Sequence, residues 1–155
     1  MSELPDNAVG LINEKLDGFD RTLGVRFTRA ELDEFAAELE IGPDHLQPYG
    51  IVHGGVYASL VETVCSVASA LYVWGRASAV GIENTTSFLK AVRSGRLECV
   101  ARPILLGRRS HVWRAEIHDD RGRLLATGQV RTLVLEPGTS ADGIEVGLPG
   151  DQPEP

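Results

Sequence analysis

Gln47-Pro48-Tyr49-Gly50-Ile51-Val52-His53-Gly54-Gly55 runs into Val56-Tyr57-Ala58-Ser59-Leu60-Val61-Glu62-Thr63-Val64-Cys65-Ser66, and this stretch decides the fold. It opens with turn residues and continues as the longest helix-like apolar run of the chain. From 56 to 73 there is no Gly or Pro, and Glu62 is the lone charge. A helix apolar on most of its faces is a buried helix. A single carboxylate on such a helix is costly to ionise unless specific neighbours satisfy it. Glu62 is therefore either bonded to a loop amide or kept for chemistry. Gly54 and Gly55 mark the helix start, where backbone N–H groups lack intrahelical acceptors and the macrodipole favours negative charge.

Working outward, the rest of the chain supplies a sheet for that helix. On the N-terminal side, residues 7–16 have a short amphipathic pattern (Val9, Ile12, Leu16) with Asn7 as a candidate N-cap, and Gly18 is expected to end it. Leu23, Val25 and Phe27 alternate as in a strand, and residues 31–41 read as a second strand. Residues 42–50 are a loop carrying Pro43 and Pro48. On the C-terminal side, strands are expected over 79–92, 97–106, 111–118 and 124–135, with Pro103 marking an irregularity or an edge. Gly95, the 107–109 turn and the 119–122 turn join them as hairpins. Consecutive hairpins impose antiparallel pairing, so the expected class is α+β: an antiparallel sheet wrapped around one long central helix. One helix leaves much of such a sheet uncovered, so a partner subunit is expected. Residues 1–138 are expected to form one domain, and 139–155, rich in Pro, Gly, Ser and Asp, a disordered tail.

The 155-residue chain carries a formal net charge of −7, which argues against nucleic acid as a partner. Glu62 and the serines on the helix argue against a membrane span. The two cysteines, Cys65 and Cys99, lie in apolar surroundings and suggest a reducing, cytoplasmic setting. No metal-ligand spacing appears among His45, His53, His111 and His118, and neither a G-x-S-x-G elbow nor a P-loop occurs. Cys65 has no base at helical spacing and reads as core packing.

The order Gln47, His53-Gly54-Gly55, then Glu62 and Ser66 resembles the hotdog-fold acyl-CoA thioesterases over roughly residues 8–136. Within them it is most similar to the phenylacetate-pathway group, which includes 4-hydroxybenzoyl-CoA thioesterase and the proofreading thioesterase of enterobactin synthesis. The stretch Glu83-Asn84-Thr85-Thr86-Ser87-Phe88-Leu89-Lys90 resembles the family's strand after the helix, and Gly107-Arg108-Arg109-Ser110 the hairpin near which the family binds coenzyme A. The resemblance implies the hotdog fold and hydrolysis of an acyl- or aroyl-CoA, with coenzyme A part of the substrate and no separate cofactor. It implies Glu62 as general base or nucleophile, and the Gly54 amide with Gln47 as polarising donors for the carbonyl. His53 and Ser66 would support the geometry. Gly55, Asn84, Arg108, Arg109 and Ser110 would contact the substrate. A homodimer that pairs into a homotetramer is implied as well. Read without the resemblance, Gln47 could simply brace its loop, Ser66 could back-bond the Glu62 carbonyl, and Arg108 and Arg109 could be a solvated hairpin. Two other readings share the fold: a non-catalytic acyl-CoA-binding module, and a dehydratase using a His with a carboxylate.

Overall fold

The central helix takes the place that its uninterrupted apolar run demands. The computed structural model describes residues 4–146. In it α3 (Gly54–Tyr72) is a helix of 19 residues. Tyr57, Leu60, Val61, Val64, Cys65, Ala68 and Leu71 are buried at helical spacing and form its inner face. Length and composition alone would let α3 cross a bilayer, yet 56% of its apolar window is buried inside the protein.

Around α3 lies a six-stranded antiparallel sheet made of β1 (Arg26–Glu31), β2 (Glu34–Glu40), β3 (Ser78–Phe88), β4 (Arg96–Leu106), β5 (Ser110–Asp119) and β6 (Leu124–Leu135). The spatial order is β1-β2-β4-β5-β6-β3. The sheet curls around α3, the hotdog arrangement. Alternate residues, such as Leu97, Cys99 and Ala101 on β4 and Trp113, Ala115 and Ile117 on β5, point at the helix. The outer face carries charges instead. Arg26 and Arg96 flank Glu38, and Arg29 and Arg102 flank Glu34. These pairs are solvated, so they mark the wet face and add little stability.

Three sequence expectations change here. Leu23 is the last residue of a second short helix, α2 (Gly18–Leu23), and Gly18 begins it. Gly24 closes that helix in the left-handed conformation (φ 81°), its N–H donating to the carbonyls of Asp20 and Arg21. The strand that follows starts only at Arg26. α1 (Ala8–Lys15) keeps its expected bounds, with Asn7 as N-cap and Leu16 as C-cap though the Asn7 side chain makes no cap bond, and it is clamped to β1, because Asn13 both donates to the Phe27 carbonyl and accepts from its N–H. Second, Glu31 ends β1, and a Leu32-Asp33 turn leads into β2, so 31–41 is half of a hairpin. Third, β3 stops at Phe88. The N–H groups of Leu89 and Lys90 both turn to the Leu125 carbonyl, and Val92 instead accepts from Val52 of the loop before α3. Pro103 does mark an irregularity: β2 pairs with β4 only up to Ala101, and the register with β5 shifts between Pro103 and Leu105. Within the tail, Ser140–Ala141 (β7) pairs with Ile144–Glu145 (β8), and Ser78 Oγ donates to the Val146 carbonyl. Of the tail expected to be disordered, 139–155, only 140–146 are placed by these contacts, and residues 147–155 lie outside the described residues.

One polar cluster is sealed in the core. Ser69 Oγ lies 2.6 Å from His111 Nδ1 and 2.5 Å from Thr132 Oγ1, and the His111 and Tyr72 rings meet in a T-shaped contact. Burial pushes the His111 pKa below its ordinary value of 6.5, the Arg76 charge lowers it further, and the Gly107 carbonyl opposes both. The folded state therefore takes up its proton later than the unfolded chain as pH falls. Stability contributed by neutral His111 is fully present above about pH 6.5 and is lost as pH drops below it. Urea unfolding between pH 7.5 and 5 should show this loss, and His111→Gln should flatten that part of the profile.

Candidate active site

At its start, α3 presents donors. His53 is the N-cap, and its Nδ1 accepts the Gly55 N–H at 2.8 Å. That bond fixes Nδ1 as the acceptor, so the neutral ring carries its proton on Nε2. The Gly55 N–H is thereby taken up inside the cap. The Gly54 N–H has no acceptor among the described residues. A Cβ at Gly54 would sit 2.4 Å from Phe88 Cε2, so only glycine lets the Phe88 ring lie this close to the backbone. Gln47 is held by the loop. Its side-chain oxygen accepts from Tyr49 N–H at 2.6 Å, which leaves the amide NH2 as the free end. Arg93 secures the same loop through the carbonyls of Tyr49 and Gly50, both at 3.0 Å. Gln47, Gly54, Tyr57, Phe88 and Leu89 line one hollow together.

Two turns further along α3, the carboxylate has its own setting. Glu62 is half-buried, with one donor on each oxygen. Ser66 Oγ donates to Oε1 at 3.0 Å, and Asn84 Nδ2 on β3 donates to Oε2 at 2.9 Å. The Asn84 amide is oriented in turn, because its oxygen accepts from Thr86 Oγ1 at 2.7 Å and its nitrogen also donates to the Ala58 carbonyl. So Ser66 bonds the carboxylate itself, and Asn84, expected at the substrate, holds Glu62. Glu62, Thr63, Ser66, Val67, Asn84 and Phe19 border one open groove. Thr63 Oγ1 donates to Asp20 at 2.6 Å, fastening α2 to the groove's rim.

The two groups of residues occupy separate hollows of the chain, Gln47 and Gly54 in one and Glu62 and Ser66 in the other. The hairpin residues lie elsewhere again. Arg108 borders a hollow at the C-terminal end of α3 with Tyr72, Arg76, His111 and Glu136. Arg109 is exposed, its carbonyl taking the Val134 N–H, and the Ser110 carbonyl takes Gly107 N–H. Cys65 and Cys99 are free and buried, and burial pushes both thiols up, so neither is a nucleophile. No group of three or more His, Cys, Asp or Glu side chains able to hold a metal occurs among the described residues.

Residues 49–126 match the thioesterase superfamily model, so the match begins just before the helix start and runs through α3, β3, β4 and β5 to the first residues of β6. The chain belongs to that superfamily and is a thioesterase. It is 34% identical over 113 residues to the 1,4-dihydroxy-2-naphthoyl-CoA hydrolase of Escherichia coli, covering 73% of this chain and 83% of that one. It is 35% identical to the proofreading thioesterase EntH of Cronobacter turicensis, with 73% and 82% covered. A solved thioesterase from Haemophilus influenzae superposes with a TM-score of 0.82 at 27% identity, over 88% of this chain and 96% of that one.

Proposed function

We propose that the protein hydrolyses an acyl- or aroyl-CoA thioester, with Glu62 as base or nucleophile and the Gly54 amide and Gln47 as donors to the carbonyl oxygen. The observation that carries this reading is the Glu62 carboxylate. It is half-buried, held by one donor on each oxygen, and set at the border of an open groove. A carboxylate held this way keeps a fixed direction of approach. As base it takes a proton from water while the water oxygen bonds the thioester carbon. As nucleophile it bonds that carbon itself and forms an anhydride that water then opens. In either route the carbonyl oxygen gains charge, the C–S bond breaks, and the thiolate leaves to take up a proton. Donors aimed at that oxygen act where charge develops. The relatives named above, one a CoA thioester hydrolase and one a proofreading thioesterase, support this substrate class for the chain.

The site as proposed is shared by two chains. Gly54 lies eight residues before Glu62, about 12 Å along the helix axis. A donor about 3 Å from the carbonyl oxygen and a carboxylate at the adjoining carbon cannot both come from one α3. Two antiparallel copies of α3 about a two-fold axis bring the start of each to the middle of the other, twice over. The open edge of β3, with Ile82, Phe88 and Leu89 exposed, leaves room for such a partner. Arg108 and Arg109 are proposed to meet the phosphates of coenzyme A, pairing of dimers gives the proposed tetramer, and a cytoplasmic setting suits the free thiols. The test is thiol release from a panel of acyl- and aroyl-CoA thioesters. Turnover of at least one member supports the reading. Binding without release across the panel overturns it.

A further inference from the structure

We infer that Gly81 is a positioning residue: the β3 bulge it begins forms a socket that holds the Glu62 carboxylate in place. The inference rests on the proposed role of Glu62. On a regular strand, residues three apart point to opposite faces. Gly81 and Asn84 are three apart, yet both face α3. The register explains this. Gly81 pairs with Thr132 and Glu83 pairs with Arg131, so Ile82 is an extra residue on β3. Past that bulge Asn84 pairs with Val130, and both Thr132 and Val130 are buried on the helix side. The bulge thus returns Asn84 to the inner face, where its amide reaches Glu62 Oε2. Without the extra residue, position 84 would face outward and the carboxylate would lose that donor.

Gly81 completes the socket by having no side chain. A Cβ there would lie 2.1 Å from Glu62 Oε1 and 3.4 Å from Ser66 Oγ. No real Cβ stands that close to an oxygen, so glycine is what admits the carboxylate to its two donors. Gly81 is not among the glycines with positive φ, so alanine suits its backbone. The atom in its way is the tip of a flexible side chain, which can swing aside. Gly81→Ala should therefore spare the fold and displace the carboxylate.

The test is a double-mutant cycle on thiol release. Gly81→Ala alone should lower kcat about 10-fold or more, since a 1 Å misplacement can cost about 10²-fold, with KM nearly unchanged. Glu62→Asp draws the carboxylate back from position 81 and should be slow but measurable. In that background the added Gly81→Ala should cost less than about 2-fold, because the collision is gone. A residue that matters only for the strand or a subunit contact would cost the same in both backgrounds. A crystal structure of Gly81→Ala should show Glu62 off Ser66 and Asn84. If Gly81→Ala fails to fold, the double variant against Glu62→Asp decides: equal activity supports the socket, and a 10-fold deficit overturns it. Full activity of Gly81→Ala overturns it while Glu62→Ala is inactive. An active, folded Glu62→Ala would instead remove the reading of Glu62 on which the socket rests.

Discussion

Glu62→Ala should fold as the wild type does and lose roughly 10²-fold or more of its turnover. The fold should survive because little of it leans on the carboxylate. Asn84 keeps its bond to the Ala58 carbonyl and its acceptance from Thr86, and Ser66, half-buried, can turn to water or to a helix carbonyl. The buried inner face of α3 does not include position 62. Turnover should fall because no other described carboxylate replaces it. Asp20 also borders the groove, but it accepts from Thr63 Oγ1 on the α2 side. Circular dichroism and a thermal melt report the fold, and thiol release reports the rate. A folded variant with near wild-type release would remove Glu62 from the chemistry.

The helix and its start were readable from local signals: an unbroken apolar run, a His-Gly-Gly entry and one carboxylate. The hairpins joining β4, β5 and β6 were readable as well, since glycine turns separate alternating runs. What escaped reading either had a weak local signal or depended on neighbours distant in sequence. α2 is too short to show a period, and Leu23 fell into step with Val25 and Phe27. The β1–β2 turn uses Leu32 and Asp33, with no Gly or Pro to mark it. Asn84 showed no link to Glu62, because that bond joins residues 22 apart in sequence and needs the β3 bulge and a register set by β6. Gly81 did carry a signal: an isolated glycine in a strand often marks a bulge or a close approach. Gly55 reads as a ligand-facing amide until the His53 ring is seen to take its N–H.

The second large effect concerns the shared site. Gly54→Pro should remove the helix-start donor and abolish turnover while keeping the helix. Proline suits the first helical position, and His53 before it already has the extended backbone (φ −65°, ψ 135°) that a following proline requires. The Phe88 ring packs over Gly54 and beside Tyr57, and it must rotate slightly to admit the proline ring. Each homodimer, Glu62→Ala or Gly54→Pro, then lacks one half of both sites. A heterodimer of the two has one site in which both halves are intact, Glu62 from one chain and Gly54 from the other. It also has one site in which both are lost.

Recovery of activity on mixing these two inactive variants is the direct measurement. If subunits reassort freely at equal concentrations, half of the dimers are mixed. About a quarter of wild-type thiol release is then expected, with linear dependence on the heterodimer fraction. Verified heterodimers of two folded variants that release no thiol would contradict it.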